Sequence, residues 1–258
     1  MYTFGNDAAH YEWNINWEKI RRAGSRYCFL KTSQGIVKDE RVEVHYAGAV
    51  ASNFPVGFYH FYDPRWREAN PKRQAEFFWG IVKDKTSKLP LVVDIELYKS
   101  GPYHGWKYWY DFIERLKELA PGREIMIYTG YFFWTEEGPA WWDLPRHVYF
   151  SQYPLWLAYY PGGLHPPTTT PEAAHLIPVP WKMKGWMFWQ TSDKNTLDGV
   201  TSEINRPANV DYDFFNGTEE QFYSRFGINN SIPAGDVFSQ VISLNNSTNI
   251  PMKEIHDV

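Results

Sequence analysis

The sequence predicts an α/β fold: an irregular TIM-like (β/α) barrel of five β/α units followed by three helix-poor strands. Two patterns lead to it. In the first half of the chain, short apolar runs rich in β-branched and aromatic residues alternate with stretches of helical spacing. In the second half the apolar runs continue, but the helical stretches between them become rare. A chain of 258 residues can also bury one large core, which suits a barrel better than two small domains.

Four pairs of strand and helix fill the first half. The predicted strands are 2–9, 26–32, 55–63 and 89–98. The helices that follow them in turn are predicted at 15–23, 42–51, 70–83 and 106–119. Gly24 suits the C-cap of the first helix, and Pro121-Gly122 suits the end of the fourth, because neither residue type continues a helix well.

Strands dominate the rest of the chain. They are predicted at 124–129, 155–160, 186–191 and 209–215. The Pro/Thr-rich stretch 161–180 is predicted to be a loop. A closing helix is expected at 219–226, and 227–258 is a tail, a linker, or an arm that packs on the barrel or on another subunit. We therefore divide the chain into a barrel, residues 1–217, and a C-terminal segment of unknown role, residues 218–258.

The aromatic content is higher than a core alone needs. Aromatic residues make up 19% of the chain, with 13 Trp and 18 Tyr. These two side chains combine a flat apolar face with a polar tip, so an excess of them is typical of a groove that is also wetted by solvent. Sugar rings, with C–H faces and hydroxyl rims, are natural ligands for such a surface.

Charge and cysteine content argue against several classes of protein. The formal net charge of −4 gives no electrostatic reason to expect nucleic acid or an anionic membrane as a partner. The single cysteine, Cys28, excludes an internal disulfide framework. No apolar window reaches the roughly 18 residues of a membrane span. The first ten residues lack the basic and apolar regions of a signal peptide, so we expect a protein that is cytoplasmic until release or that acts outside the cell by another route.

Two acids at the end of the fourth predicted strand are the strongest functional signal. Asp94 and Glu96 are spaced i and i+2 in LPLVVDIE, which points both side chains to one face. Asp7 and Asp211 are also placed at the C-terminal ends of strands, and in a closed barrel the first and last strands are neighbours. Carboxylates that share a pocket repel one another and raise at least one pKa, as a general acid near neutral pH requires. Glu96 is the expected acid because it lies further along the strand, and Asp94 its electrostatic partner.

Other readings of these acids stay open. They could cap a neighbouring loop, or bind Mg²⁺ or Ca²⁺ through oxygen, although Trp and Tyr rather than Gly, Asn and Ser surround them. The chain has no G-x-S-x-G, no P-loop and no G-x-G-x-x-G. A sugar-binding barrel that does not catalyse, and a structural component of a phage particle, are the alternatives to an enzyme. We predict no metal and no cofactor, and leave the oligomeric state open.

The ordered motifs of the chain resemble glycoside hydrolase family 25, the Chalaropsis-type lysozymes, which are N-acetylmuramidases. The motifs are GNDAAHYEWNINW, YCFLKTSQG, VGFYHFY, LPLVVDIE, MIYTG, LWLAYY, FWQTS and VDYDFFNG. The resemblance runs from about residue 5 to residue 217, so residues 1–217 are expected to be a catalytic barrel. It implies cleavage of the β-1,4 bond from N-acetylmuramic acid to N-acetylglucosamine in bacterial peptidoglycan, in lysis by a phage or a bacterium, with an antimicrobial effect.

The same resemblance implies which residues act. Glu96 takes the acid position and Asp94 its partner. Substrate-binding roles are implied for six residues: Asp7, Tyr128, Trp156, Tyr159, Gln190 and Asp211. We add Tyr62, near the end of the third strand, to this set. Two departures, Glu12 in place of a glutamine and Ser33-Gln34 in place of threonine-glutamate, bear on peptide and acetyl preference more than on the reaction.

Overall fold

Eight strands close into a barrel in the computed structural model, which describes residues 2–98, 101–160 and 176–229. Strands in the described ranges, in chain order, are β1 (Thr3–Ala8), β2 (Asn14–Ile15), β3 (Cys28–Gln34), β4 (Val37–Lys38), β5 (Val56–Phe61), β6 (Leu91–Asp94), β7 (Ile125–Gly130), β8 (Leu155–Ala158), β9 (Phe188–Asn195), β10 (Val200–Thr201) and β11 (Val210–Phe215). The short strands β2, β4 and β10 lie outside the closed ring.

The helices confirm the predicted architecture. Those in the described ranges are α1 (Trp17–Arg22), α2 (Val42–Ala51), α3 (Pro71–Val82), α4 (Trp106–Leu119), α5 (Tyr131–Glu137), α6 (Leu144–Phe150) and α7 (Glu219–Phe226), with a 3₁₀ turn at Val179–Trp181. They make five β/α units followed by three strands with few helices between them. Helices α5 and α6 were not predicted, because Gly138 and Pro139 interrupt a stretch whose clustered aromatic residues hide the helical period.

Strand direction departs from a regular barrel at one place. The ring order is β1-β3-β5-β6-β7-β8-β9-β11, and all neighbours are parallel except β11, which is antiparallel to both β9 and β1. The prediction that Asp211 lies at the C-terminal end of its strand is therefore wrong: it is the second residue of β11. Asp211 still reaches the mouth formed by the C-terminal ends of the parallel strands, because β11 begins there.

Alternation along each strand sorts side chains between the barrel interior and the helix layer. On β5, Tyr59 points inward to Trp156, at 6.2 Å between ring centroids. The next residue, His60, points outward and stacks on Phe112 of α4 at 5.1 Å. The interior of the barrel is consequently an aromatic core with acids above it, and the outer face packs aliphatic and aromatic residues against the helices.

Helix α7 closes the end of the barrel opposite the mouth. Thr218 caps its N-terminus in a capping box with Gln221. Phe222 stacks on Tyr27 inside the barrel, with ring centroids 5.0 Å apart, and Phe226 stacks on Phe188 at 6.0 Å. This helix therefore shares the core of the barrel. The division at residue 217 and the role of residues 227–258 stay predictions. Residues 230–258 lie outside the described ranges.

Two further expectations concern parts of the chain beyond the barrel strands. Most of the predicted loop 161–180 lies outside the described residues, and its end forms the 3₁₀ turn Val179–Trp181. Within the residues the structure describes, none of the helices has the length and apolar character needed to span a membrane.

Candidate active site

The two acids of the predicted catalytic strand lie at the mouth. Asp94 is the last residue of β6, and the amide of Ile95 donates to the carbonyl of Tyr128 at 2.9 Å. This bond continues the extended backbone for one more pleat, so that Glu96 follows Asp94 on the interior side. Asp94 is buried, while Glu96 lines an open cavity.

Burial controls the protonation of this pair. It raises the pKa of Glu96, while the hydroxyl of Tyr128 and the ammonium of Lys31 oppose the rise. Burial likewise raises the pKa of Asp94 well above its usual range, and the charge of Glu96 adds to the effect. Mutual repulsion was expected to be the cause, but removal from water is the larger one. Both carboxyls therefore hold their protons to higher pH than free carboxyls do.

Gln190 of β9 joins the acids of β1 and β11 to two tyrosines. Its amide nitrogen Nε2 donates to Asp7 Oδ2 at 2.8 Å and to Asp211 Oδ2 at 3.0 Å. Its oxygen Oε1 accepts hydrogen bonds from the hydroxyls of Tyr128, at 2.7 Å, and of Tyr160. In this orientation of the Gln190 amide, the NH₂ group donates to the two carboxylates and the oxygen accepts from the two tyrosine hydroxyls.

A third acid, Asp213, lies behind Asp7. Its Oδ1 accepts a hydrogen bond from the indole Nε1 of Trp156 at 2.9 Å, and its buried Oδ2 receives none from an N–H group or a hydroxyl of the described residues. The carboxyl of Asp7 is within hydrogen-bonding contact of it. Two carboxylates cannot hydrogen-bond without a proton, so we expect Asp7 and Asp213 to share one.

The pKa values of this cluster are all raised. For Asp7 the causes are burial first and then the charges of Asp213 and Glu12, against which the Gln190 hydrogen bond acts. Burial and the charge of Asp7 raise the pKa of Asp211 to about 10. Burial raises that of Glu12 to about 7. The β1–β11 side of the mouth is therefore largely protonated at neutral pH.

The structure brings most of the predicted site residues together. Asp7, Tyr128, Gln190 and Asp211 form one hydrogen-bonded cluster facing β6, since β11 lies opposite β6 in the ring of eight strands. Tyr159 lines the same cavity as Glu96.

Two predicted site residues lie elsewhere. Trp156 is buried beneath the mouth, where it supports Asp213. The structure places Tyr62 on the helix side of the barrel, packed against Phe112, with its hydroxyl donating to the carbonyl of Tyr103 at 2.7 Å. The period of the strand explains this position: Tyr62 follows His60 at i+2 and shares its outward face.

An aromatic cavity of about 360 Å³ opens beside Glu96, in the size range of ligand sites. Its lining comes from the ends of β7 and β8 and from the start of α5, and includes Tyr98, Tyr131, Phe132, Tyr159 and Tyr160. Half-exposed rings around a carboxyl whose pKa is raised form a surface that can stack on a sugar and donate a proton to it. Such a site suits acid-catalysed cleavage of a glycosidic bond.

Sequence reasoning did not assign a role to several residues of this site. Lys31 acts on both Asp94 and Glu96 through its charge, and a β-bulge between Lys31 and Ser33 shifts the register of β3 at this point. Asp213 and Tyr160 are the other two site residues to which the sequence analysis assigned no role. The i, i+2 spacing of Asp211 and Asp213 could have indicated the former, but Tyr160 lies just beyond β8, where strand period no longer applies. Among the described residues, no group of three or more His, Cys, Asp or Glu is arranged to hold a metal ion.

Comparison with known proteins agrees with this fold. The model of glycosyl hydrolases family 25 matches residues 6–200. Lysozyme M1 of Streptomyces globisporus is 28% identical over 214 residues, and the match spans 78% of this chain but only 66% of that protein. The bacterial lysozyme of Streptomyces coelicolor superimposes with a TM-score of 0.67 at 25% identity, covering 87% of this chain and 96% of that one. Muramidase from Trichobolus zukalii gives 0.63 at 27% identity, covering 87% and 98%.

Proposed function

Because this chain belongs to glycosyl hydrolase family 25, we propose that it hydrolyses the β-1,4 bond from N-acetylmuramic acid to N-acetylglucosamine in bacterial peptidoglycan, in cell-wall lysis by a phage or a bacterium. The observation that carries the proposal is the position of half-buried Glu96, whose pKa is raised by its surroundings, at the edge of an aromatic cavity. The lysozyme and muramidase named among its relatives support the same substrate class.

Glu96 is the proposed general acid. A carboxyl whose pKa is raised by burial keeps its proton to higher pH than a free carboxyl and can deliver it to the glycosidic oxygen as the bond breaks. Lys31 lies close enough to favour one negative charge on the pair. In the free site burial raises the pKa of Asp94 further than that of Glu96. We propose that, in the reaction, the positive charge developing on the sugar ring stabilises the charge on Asp94 and leaves the proton with Glu96.

The group that attacks the bond from the face opposite Glu96 is best supplied by the substrate itself. Asp94 and Glu96 lie about 7 Å apart at Cα on one strand, so they do not flank the bond as an acid and a nucleophile would. Asp211 lies across the mouth, but with a pKa of about 10 it is protonated at neutral pH and cannot accept a proton from water. This favours attack by the 2-acetamido oxygen of the substrate, oriented by Asp94, over an inverting route that uses Asp7 or Asp211 as the base.

The test is release of reducing ends from purified peptidoglycan by the wild type and Glu96→Gln, with EDTA in a parallel tube. We expect release by the wild type, unchanged by EDTA, and a loss of about 10²–10⁴-fold in the variant, because glutamine has no proton to transfer. Exposed Glu203 provides the matched control, Glu203→Gln, which should behave as the wild type.

Two outcomes would contradict the proposal. Activity retained by Glu96→Gln, with the fold intact by circular dichroism, would remove Glu96 from the mechanism. Absence of reducing ends with every wall preparation, while both proteins bind peptidoglycan equally, would indicate a sugar-binding barrel.

A further inference from the structure

A second pocket, of about 370 Å³, opens at the mouth on the other side of the catalytic strand. Its walls come from the ends of β3 and β5 and from the segment after β1, whereas the aromatic cavity beside Glu96 lies over β7 and β8. Lys31 lines this pocket and also acts on the charges of Asp94 and Glu96. Lys31 therefore lies between this pocket and the two acids.

The chemistry of this second pocket, which we call the Lys31 pocket, differs from that of the aromatic cavity. It contains both positively and negatively charged side chains, and these hold one another in place as pairs. Arg65 binds Asp63 through Nε, at 2.8 Å from Oδ1, and through Nη2. His10 Nδ1 lies 3.0 Å from Asp39 Oδ2. Trp66 stands half-exposed at the rim.

A neutral sugar would fit the Lys31 pocket poorly. Ion pairs make charge-assisted hydrogen bonds to a charged ligand, and these are roughly twice as strong as hydrogen bonds between neutral groups. A ligand with carboxylates, an amine and small apolar groups would instead pair with the charges already present and pack against Trp66. The peptide attached to the muramic acid of a wall glycan has these groups, and it leaves the sugar chain next to the bond being cut.

We propose that the Lys31 pocket binds this acidic, amine-bearing peptide, so that the enzyme prefers peptide-bearing glycan to the bare sugar polymer. The inference rests on the proposed function, because it assumes that a wall glycan lies across the mouth. The fixed ion pairs then serve as preorganised donors and acceptors for the peptide, and the preference is expressed in KM, since the peptide takes no part in bond cleavage.

The experiment compares two forms of one substrate: glycan strands with their peptides, and the same strands after an amidase has removed them. For the wild type we expect kcat/KM to be about tenfold higher on the peptide-bearing strands, the effect of one charge-assisted hydrogen bond, with kcat similar on both. Trp66→Ala and Lys38→Ala alter the rim of the pocket and leave Glu96, Asp94 and Lys31 in place. Both should lower the preference and leave activity on bare strands unchanged.

The matched control is Trp141→Ala, an equally large truncation at an exposed tryptophan that does not line the Lys31 pocket. It should keep the wild-type preference. Equal kcat/KM of the wild type on both substrates would overturn the proposal. An equal loss on both substrates in Trp66→Ala would overturn it too, and would make the pocket a further sugar site.

Binding separates this proposal from the proposed function. Calorimetry with Glu96→Gln would measure the affinity for a disaccharide with its peptide and for the disaccharide alone. If the wild type cleaves neither polymer, the proposed function fails. Tighter binding of the peptide form, lost in a Glu96→Gln/Trp66→Ala double variant, would still support the peptide site, and equal binding of the two ligands would reject it.

Discussion

Lys31 shows how one side chain can influence the pKa values of two acids. Its ammonium group lies over the ring of Phe61, 4.8 Å from the centroid, and hydrogen-bonds to Gln34 at 3.3 Å. From this position its charge lowers the pKa values of both Asp94 and Glu96, against the effect of burial. Without it, burial would keep both carboxyls protonated to higher pH, and the negative charge that the proposed mechanism assigns to Asp94 would be lost.

We expect Lys31→Met to move the alkaline limb of kcat/KM to higher pH and to lower the maximal rate. The limb moves up because loss of the positive charge raises the pKa of Glu96, so the active acid keeps its proton longer. The rate falls because Asp94 is then less often charged. Reducing-end release measured from pH 4 to pH 10 tests both effects.

The surface variant Lys72→Met, on the exposed side of α3, should retain the wild-type profile. An alkaline limb that stays in place or moves down in Lys31→Met would show that the charge of Lys31 does not act on the catalytic acid.

At the scale of elements, α7 is what closes the barrel. The eight-strand ring leaves an aromatic floor of Tyr27, Phe188 and Phe215, and α7 covers it with Phe222 and Phe226. Phe222 has no solvent-exposed surface. Since the mouth lies at the opposite end of the strands, α7 contributes to stability and not to the site.

Truncation of Phe222 to alanine should lower the free energy of unfolding by about 3–5 kcal/mol, the usual cost of removing a buried phenylalanine. Urea unfolding followed by tryptophan fluorescence measures it. Activity at low temperature, where the variant stays folded, should remain within a few-fold of the wild type.

The control is Ser224→Ala. Ser224 follows Phe222 by two residues and lies on the exposed face of α7, so this change should alter the free energy of unfolding by less than about 0.5 kcal/mol. A cost below about 1 kcal/mol for Phe222→Ala would mean that α7 does not seal the barrel.

At the scale of the whole molecule, the buried acids at the mouth lower the free energy of unfolding. Burial raises the pKa values of Asp7, Asp211 and Asp213 above their usual range. A carboxyl whose pKa is raised in the folded state favours folding most below its ordinary pKa. That contribution disappears as the pH rises through the folded value, because the unfolded chain releases the proton first. The contribution of these three acids to stability should therefore fall from acidic toward alkaline pH.

Asp213→Asn should raise the free energy of unfolding at pH 8 and change it little at pH 4, near the ordinary aspartate pKa of 3.8. Asparagine can still accept the Trp156 hydrogen bond, and its amide can donate to Asp7 without a shared proton. Thermal unfolding at the two pH values measures the difference, with about 2–4 °C in Tm expected for each kcal/mol.

Asp84→Asn, at a fully exposed aspartate, should leave the stability at both pH values unchanged. An equal gain or loss at pH 4 and pH 8 in Asp213→Asn would show that Asp213 does not share a proton whose loss destabilises the fold.

The order of the elements and the catalytic strand were predictable because both are local patterns. The apolar run of β6 and the i, i+2 spacing of Asp94 and Glu96 lie within ten residues, and helices α2 and α4 have the bounds that their spacing predicts. The ordered motifs were enough to identify the family and, through it, most of the residues gathered at the mouth.

Only the tertiary structure decided how distant segments meet. Asp7 and Gln190 are 183 positions apart, and no local pattern shows that one amide bridges Asp7 and Asp211. The antiparallel course of β11, the outward face of Tyr62 and the contact of Asp7 with Asp213 follow from how the ring closes and from which side each strand buries. The sequence by itself determined which chemistry is present, because residue type and strand period are local. Barrel closure decided which acids share protons, because burial and distance exist only once the strands are paired.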